Sequence, residues 1–412
     1  MYPQVQGKTI VLPLASPDSY NQIAENTVLF RAWVMSSFQR FPSLFPLGFT
    51  GHFQLCGGYT SKKQQVALRR IRLPQTRETY QIRPSSLMPY MVGRTEELEK
   101  PLLLRMWGVP FQAIARCFGR DAMYWYRCFR SLGRFHLVGT TVKTQAALPQ
   151  HLTVDEKHTR LYGEKNYIAT VVSGECFLGA SIEESASAEA LTKGYQAFAQ
   201  ELKQTAPTFQ PTTATTDGWE ATSAAMRALF GGITVILCFL HSWLSIRDRC
   251  RRDHGMRKEL GERVWDAYKA ATQAVFSQRL RRLREWAEAR LPESPLKSKV
   301  IRLCEQRKQF TPAYQHPKAA RTSNAVDRLM DFQDRQLYAM RGLKGNEEAT
   351  RLLLRASCLL WNFHPYTRHT KEDKSARSPF EQRNGFVYEE GWLRNLLCAA
   401  SLKGQRPLHK IR

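Results

Sequence analysis

Two aspartates occupy positions where a carboxylate is chemically expensive. Asp155 follows the apolar run Leu152-Thr153-Val154, and Asp217 follows a threonine-rich run over residues 212–216. Both runs read as strands, so both acids are expected at strand C-terminal ends, where an open sheet forms its ligand crevice. Two carboxylates brought together there repel each other unless cations bridge them, and a divalent metal is the natural counter-ion. A third acid would complete such a site. Asp327 opens an expected helix that could lie across the sheet, with Asp331, one turn later, as the alternative. Any one aspartate at a strand end is more often a cap or an ion-pair partner; the combination points to chemistry.

The elements that must carry these acids follow from patterning. Residues 152–155, 167–173 and 176–181 read as three consecutive strands, then come a helix over 186–202 and strands at 213–216 and 233–238. That order suits a mixed sheet sandwiched by helices, as in an RNase H-like core. From His241 to about Phe310 the sequence turns helical and basic, with Leu260, Val264, Ala267, Tyr268, Ala271 and Val275 on one apolar stripe. Pro312 and Pro317 punctuate its end, and helices are expected from Ser323 to about Met340 and over 347–363.

Upstream, residues 98–107, 111–118 and 122–132 read as three helices with a turn at Gly119-Arg120-Asp121, which is helix-turn-helix grammar. Ile114, Ala115 and Phe118 would pack the second helix. The third carries Tyr124, Trp125, Tyr126, Arg127 and Arg130, suited to a major groove; a plain helical bundle is the competing reading. Between Phe53 and Ile82, β-prone segments alternate with Lys62-Lys63, Arg69-Arg70 and Arg72, giving either a phosphate-binding face or a solvated edge. Six segments result: a lead-in, irregular or helical, over 1–50; a basic β-rich segment over 51–95; the helix-turn-helix region over 96–140; the first part of the core over 150–240; a helical insertion over 241–320; and the last part of the core with C-terminal helices over 321–400.

The balance of 61 Lys+Arg against 36 Asp+Glu leaves a formal charge of +25. A surplus of that size favours a polyanionic partner, nucleic acid ahead of an anionic membrane surface. The longest apolar run, residues 233–244, is too short to cross a bilayer, which takes about 20 residues. No signal peptide is legible, and the nine cysteines contain no CxxC pair. They suit reduced thiols, and the expected setting is a bacterial or archaeal cytosol, in association with the nucleoid.

The sequence resembles the DDE-type insertion-sequence transposases that hold a helical insertion, on the Mutator-like branch. Val154-Asp155-Glu156 looks like the first acidic motif, Thr216-Asp217-Gly218-Trp219 like the second and residues 322–329 like the third. Cys238-Phe239-Leu240-His241 looks like the family's CxxH signature. The long interval between Asp217 and Asp327 suits an inserted helical domain. Ser378-Pro379-Phe380-Glu381, Asn384-Gly385 and Asn362-Phe363 resemble the family's tail, so the likeness spans roughly residues 80 to 400. The chain departs from the family in one respect: its third acid is Asp where Glu is usual.

The resemblance implies two Mg²⁺ (or Mn²⁺) ions held by Asp155, Asp217 and Asp327. It also implies hydrolysis at transposon ends and strand transfer by the 3′-OH into target DNA. Double-stranded DNA, both ends and target, is the implied partner, bound by a homo-oligomer with no membrane involved. Tyr124, Arg127, Arg130 and Trp219 are the candidate DNA contacts, with Trp219 and Trp243 able to stack on an unpaired base. Two ligands at the CxxH spacing cannot fill a tetrahedral site, so Cys238 and His241 are expected to pack or hydrogen-bond. The competing functions are an inert transposase-derived DNA-binding protein and an RNase H-like nuclease without strand transfer.

Overall fold

The computed structural model describes residues 7–408 except 15–18, 63, 90, 92, 341, 344 and 374. Lys63 of the basic clusters therefore lies outside the described residues. The protein is a mixed α/β structure with two mixed sheets and many helices.

The first sheet is built from β1 (Thr9–Leu12), β2 (Gln54–Ser61), β3 (Val66–Arg72) and β4 (Thr79–Pro84), in the order β1-β4-β3-β2. β1 comes from the lead-in and runs parallel to β4, from Thr9↔Gln81 to Leu12↔Pro84. Its partner is distant in sequence and its Ile10 and Leu12 are fully buried, so four residues form a strand that local patterning does not announce. Two further lead-in helices, α1 (Ser19–Glu25) and α2 (Thr27–Arg40), follow β1.

Three helices then occupy the expected stretch: α3 (Thr95–Leu103), α4 (Phe111–Phe118) and α5 (Ala122–Ser131). A 3₁₀ turn over Leu104–Trp107 ends the first of them early, and left-handed Gly108 lets the chain reverse into Pro110. Asp121 caps α5, its carboxylate accepting from the Met123 amide at 2.7 Å. A short helix, α6 (Leu137–Thr141), leads to the second sheet.

That sheet contains β5 (His151–Leu161), β6 (Glu164–Ser173), β7 (Cys176–Glu183), β8 (Thr213–Thr216) and β9 (Thr234–Leu237). Its order is β7-β6-β5-β8-β9; β6 is antiparallel to both neighbours, and β5, β8 and β9 are parallel. The crossovers are α7 (Ala188–Thr205) and α8 (Glu220–Leu229). They cover one face, where Leu152, Val154, Tyr195, Phe198, Ala225 and Met226 form one core.

After β9 the chain leaves the sheet through α9 (Phe239–Arg247), α10 (His254–Tyr268), α11 (Gln273–Arg290), α12 (Pro295–Glu305) and α13 (Arg307–Phe310). These helices bury their own core around Phe239, Leu260, Val264, Phe276 and Phe310. The single stripe expected here is broken. α10 ends at Tyr268, Ala271 is exposed, and Thr272 caps a new helix by accepting from the Val275 amide at 3.3 Å. Trp243 is only 9% exposed within that core, which removes it as a stacking platform.

The chain returns in α14 (Asn324–Ala339) and α15 (Glu347–Phe363), followed by α16 (Arg368–Asp373), α17 (Pro379–Asn384) and α18 (Trp392–Ala399). Val326, Phe332 and Leu360 pack with Ile168, Val172 and Phe177 on the second face of the sheet. The same apolar core continues into α3–α5 and the first sheet, through Leu98, Ile114, Phe129 and Ile82. Burial of each such side chain contributes about 1.5–3 kcal/mol, so this continuous core fixes α14 against both the sheet and the upstream helices. Among the described residues no helix is long and apolar enough to cross a membrane.

Candidate active site

Asp155 is not at the end of its strand. β5 runs on to Leu161 because it forms a long hairpin with β6, Asp155 pairing with Thr170 and Leu161 with Glu164. What ends near Asp155 is the parallel part of the sheet: β5 pairs with β8 only as far as Thr153↔Thr215, and β8 with β9 as far as Thr216↔Leu237. Continued at the same offset, the register sets Asp155 level with Asp217 and Asp217 level with Cys238. Parallel neighbours lie about 4.8 Å apart, so the two carboxylates share one crevice at the ends of the parallel strands.

Alternation along β5 divides its polar residues between the two faces. Glu156 points to the α7/α8 side, where its carboxylate accepts from the Tyr195 hydroxyl and, at 2.8 Å, from the Thr222 hydroxyl. Asp155 points the other way, towards α14. Two further bonds bind α14 to this face: Lys157 pairs with Asp334 at 2.5 Å, and the Gln333 amide donates to the Thr170 hydroxyl at 3.4 Å.

The turn before α14 is fastened across the strand ends. The Thr215 hydroxyl donates to the Ala320 carbonyl at 2.6 Å, the Phe239 amide to the Arg321 carbonyl at 3.0 Å, and the Ser323 amide to Cys238 Sγ at 3.1 Å. This lacing brings Asp327, in the first turn of α14, over Asp155. Ligand atoms of Asp155, His241 and Asp327 lie within 4.8 Å of one another. Asp217 stands outside that trio but is near enough that its charge acts on both Asp155 and His241.

Burial and the neighbouring Asp217 push the Asp155 carboxyl up to about 6, against the amide of Glu156, which donates to it at 2.7 Å. Burial also raises Asp327, and the nearby His241 and the Ser323 hydroxyl work against that rise. His241 is pushed up to about 9, chiefly by its hydrogen bond with Cys238 and then by the charges of Asp155 and Asp217. Concentrated negative charge is thus held at a cost that a bound cation would relieve.

Ser323 is the residue that sequence reasoning missed. It is 1% exposed, and its hydroxyl lies 3.2 Å from His241 Nδ1, 3.2 Å from an Asp327 oxygen and 3.4 Å from Cys238 Sγ. The CxxH spacing found Cys238 and His241, and both side chains lie within hydrogen-bond distance of the Ser323 hydroxyl, but nothing in that spacing announces that His241 turns towards two acids. Trp219 sits beside the site, its amide donating to Asp217 at 2.8 Å and its ring edge-on to Tyr167.

The other candidate DNA contacts are far along the chain on α5 and are not brought to this cluster. Arg127 is exposed and Arg130 half-buried over the Tyr126 ring at 5.2 Å. Tyr124 does not project freely: it is half-buried, edge-on to Trp125 at 5.2 Å, with burial pushing its hydroxyl up to about 12. The exposed residues of α5 are Met123 and Arg127, and Arg116 of α4 and Arg120 in the turn are exposed as well.

No protein-family model matches the chain, and no curated protein matches it. Among solved structures, it is similar to a chain in the cryo-EM structure of the simian T-cell lymphotropic virus intasome in complex with PP2A regulatory subunit B56 gamma. The identity is 12%, and the alignment covers 52% of this chain and 74% of that one, with a TM-score of 0.18. A likeness at that score carries no argument about fold or function, which therefore rest on the site itself.

Proposed function

We propose that this protein is a DDE-type DNA transposase. It hydrolyses a phosphodiester at a transposon end, and the freed 3′-OH then attacks a phosphodiester of target DNA, whose own 3′-oxygen leaves. The observation that carries this reading is the convergence of Asp155, His241 and Asp327 within ligand distance, beside Asp217, at the joint end of three parallel strands. The sheet order, with a five-stranded mixed sheet and helices on both faces, supports an RNase H-like core around that site.

The donor set fits a divalent cation. Three carboxylates supply hard oxygen ligands suited to Mg²⁺, and the one imidazole within reach extends the fit to Mn²⁺. Asp155 and Asp327 would hold one ion between them, and Asp217 with Asp155 a second. When bound, such ions lower the pKa of water and stabilise the leaving oxygen.

The chain's own groups do the rest. Asp155 and Asp217 are set level by strand register, and Asp327 is aimed by the lacing of the preceding turn. Ser323 fixes the His241 ring. Exposed Arg116, Arg120 and Arg127 would meet duplex phosphates at a distance from the cut, and the surplus of +25 makes binding electrostatically favourable and salt-sensitive.

The test is Mg²⁺-dependent nicking of duplex DNA by the wild type, absent in Asp217→Ala. An inert DNA-binding descendant would bind without cutting, and a nuclease without strand transfer would cut without joining.

A further inference from the structure

A pocket of about 170 Å³ opens beside the acidic cluster. It is lined by Asp217, by His241, Ser242 and Ser245 of α9, and by Lys299 and Arg302 of α12. The two cations belong to the helical insertion, whose folding places them here. Ser294 caps α12 by accepting from the Lys297 amide at 3.3 Å. Val300 and Leu303 are buried in the insertion's core, so the i,i+3 pair Lys299 and Arg302 shares the neighbouring face and looks out of the core.

These cations are not spent on the protein. Elsewhere on α12, Lys297 pairs with Glu293 at 2.6 Å, whereas among the described residues neither Lys299 nor Arg302 has a carboxylate within ion-pair distance. Two unpaired cations that share a small polar pocket with Asp217 are arranged for a polyanion that must approach the acids without being repelled.

We infer that Lys299 and Arg302 form a phosphate-binding subsite that grips the nucleic-acid backbone at the phosphate next to the one cut. The insertion then contributes directly to substrate binding. This rests on the transposase reading for what happens at Asp217, but not for the binding itself. Lys299 contributes a point charge and Arg302 a planar fork able to take two phosphate oxygens, while Ser242 and Ser245 offer hydroxyl donors.

The experiment uses the full chain and a short DNA duplex, with affinity measured across a salt series for wild type, Lys299→Ala/Arg302→Ala and Lys299→Arg/Arg302→Lys. Nicking in Mg²⁺ or Mn²⁺ is followed in parallel. Every phosphate that is no longer neutralised makes the slope of log affinity against log salt shallower by about 0.9, so the double alanine variant, which loses its grip on one phosphate, is expected to be shallower by about that amount. The charge-preserving variant restores the slope, which a folding defect at these positions would not permit. Nicking by the alanine variant falls on the order of 10²-fold, because a misplaced backbone misses the acids. An unchanged slope overturns the subsite even if the wild type nicks, and leaves the transposase reading standing. A shallower slope with no nicking by the wild type keeps the subsite and overturns the transposase reading.

Discussion

Arg105 and Gln336 bond to each other in both directions: the Arg105 guanidinium donates to Gln336 Oε1 at 2.8 Å, and the Gln336 amide donates to the Arg105 carbonyl. The pair joins the turn after α3 to α14, the helix that carries Asp327. Arg105 is fully buried, stacked on Phe111 at 4.6 Å, and burial pushes its guanidinium down to about 10. No carboxylate offsets that charge among the described residues, so amide and carbonyl acceptors hold it. Gln336→Leu removes the side-chain acceptor and is expected to cost about 1.5–3 kcal/mol, read as a lower denaturation midpoint.

Removing the Ser323 hydroxyl unfastens both His241 Nδ1 and Asp327 at once. Partners that orient metal ligands are worth about 10–100-fold in metal affinity. Ser323→Ala is therefore expected to weaken Mn²⁺ binding by that factor in calorimetry while the protein stays folded. Unaltered Mn²⁺ affinity would remove Ser323 from the positioning of the site.

In the metal-free protein, the stability that Asp155 and Glu156 contribute should fall as pH rises from about 4 to about 7. The raised Asp155 and Glu156 carboxyls, at about 6 and about 7, bind protons more tightly in the folded state, so the folded state is favoured while they remain protonated and is penalised as they ionise. From 3.8 to about 6, the Asp155 shift alone is on the order of 2–3 kcal/mol. Asp155→Asn should accordingly raise the midpoint of metal-free protein at neutral pH and abolish any stabilisation by Mg²⁺.

On α5, the exposed Arg127 should act by touching phosphate. Arg127→Ala is expected to reduce the salt slope by about 0.9, with no change in metal affinity. Tyr124→Phe, at a half-buried ring, should leave the slope where it is.

Some of this is legible in the sequence and some is not. The helices of 95–131 announce themselves through Pro110, Gly119 and Asp121, because caps and turns are local devices. The levels of Asp155 and Asp217 are also legible, since strand-forming residues precede each. The full length of β5 is not: beyond Asp155 its residues, Lys157 to Arg160, are polar and partly exposed, and only pairing with β6 makes them a strand. β1 is hidden for the same reason, its partner lying far downstream. Tyr124 is half-buried because its ring packs against the core beside Trp125. Ser323 and His241 can be named but not placed, since their meeting depends on the turn laced across β8 and β9.

The most direct measurement of the central claim uses a labelled duplex carrying the terminal sequences that flank the gene, incubated with wild type, Asp155→Ala or Asp327→Ala in Mg²⁺ or Mn²⁺. The wild type is expected to nick at the end and join the 3′-OH to a second duplex, and each variant to lose both activities. Wild-type protein that binds the duplex but never cuts it, or variants that cut as well as the wild type, would contradict that claim.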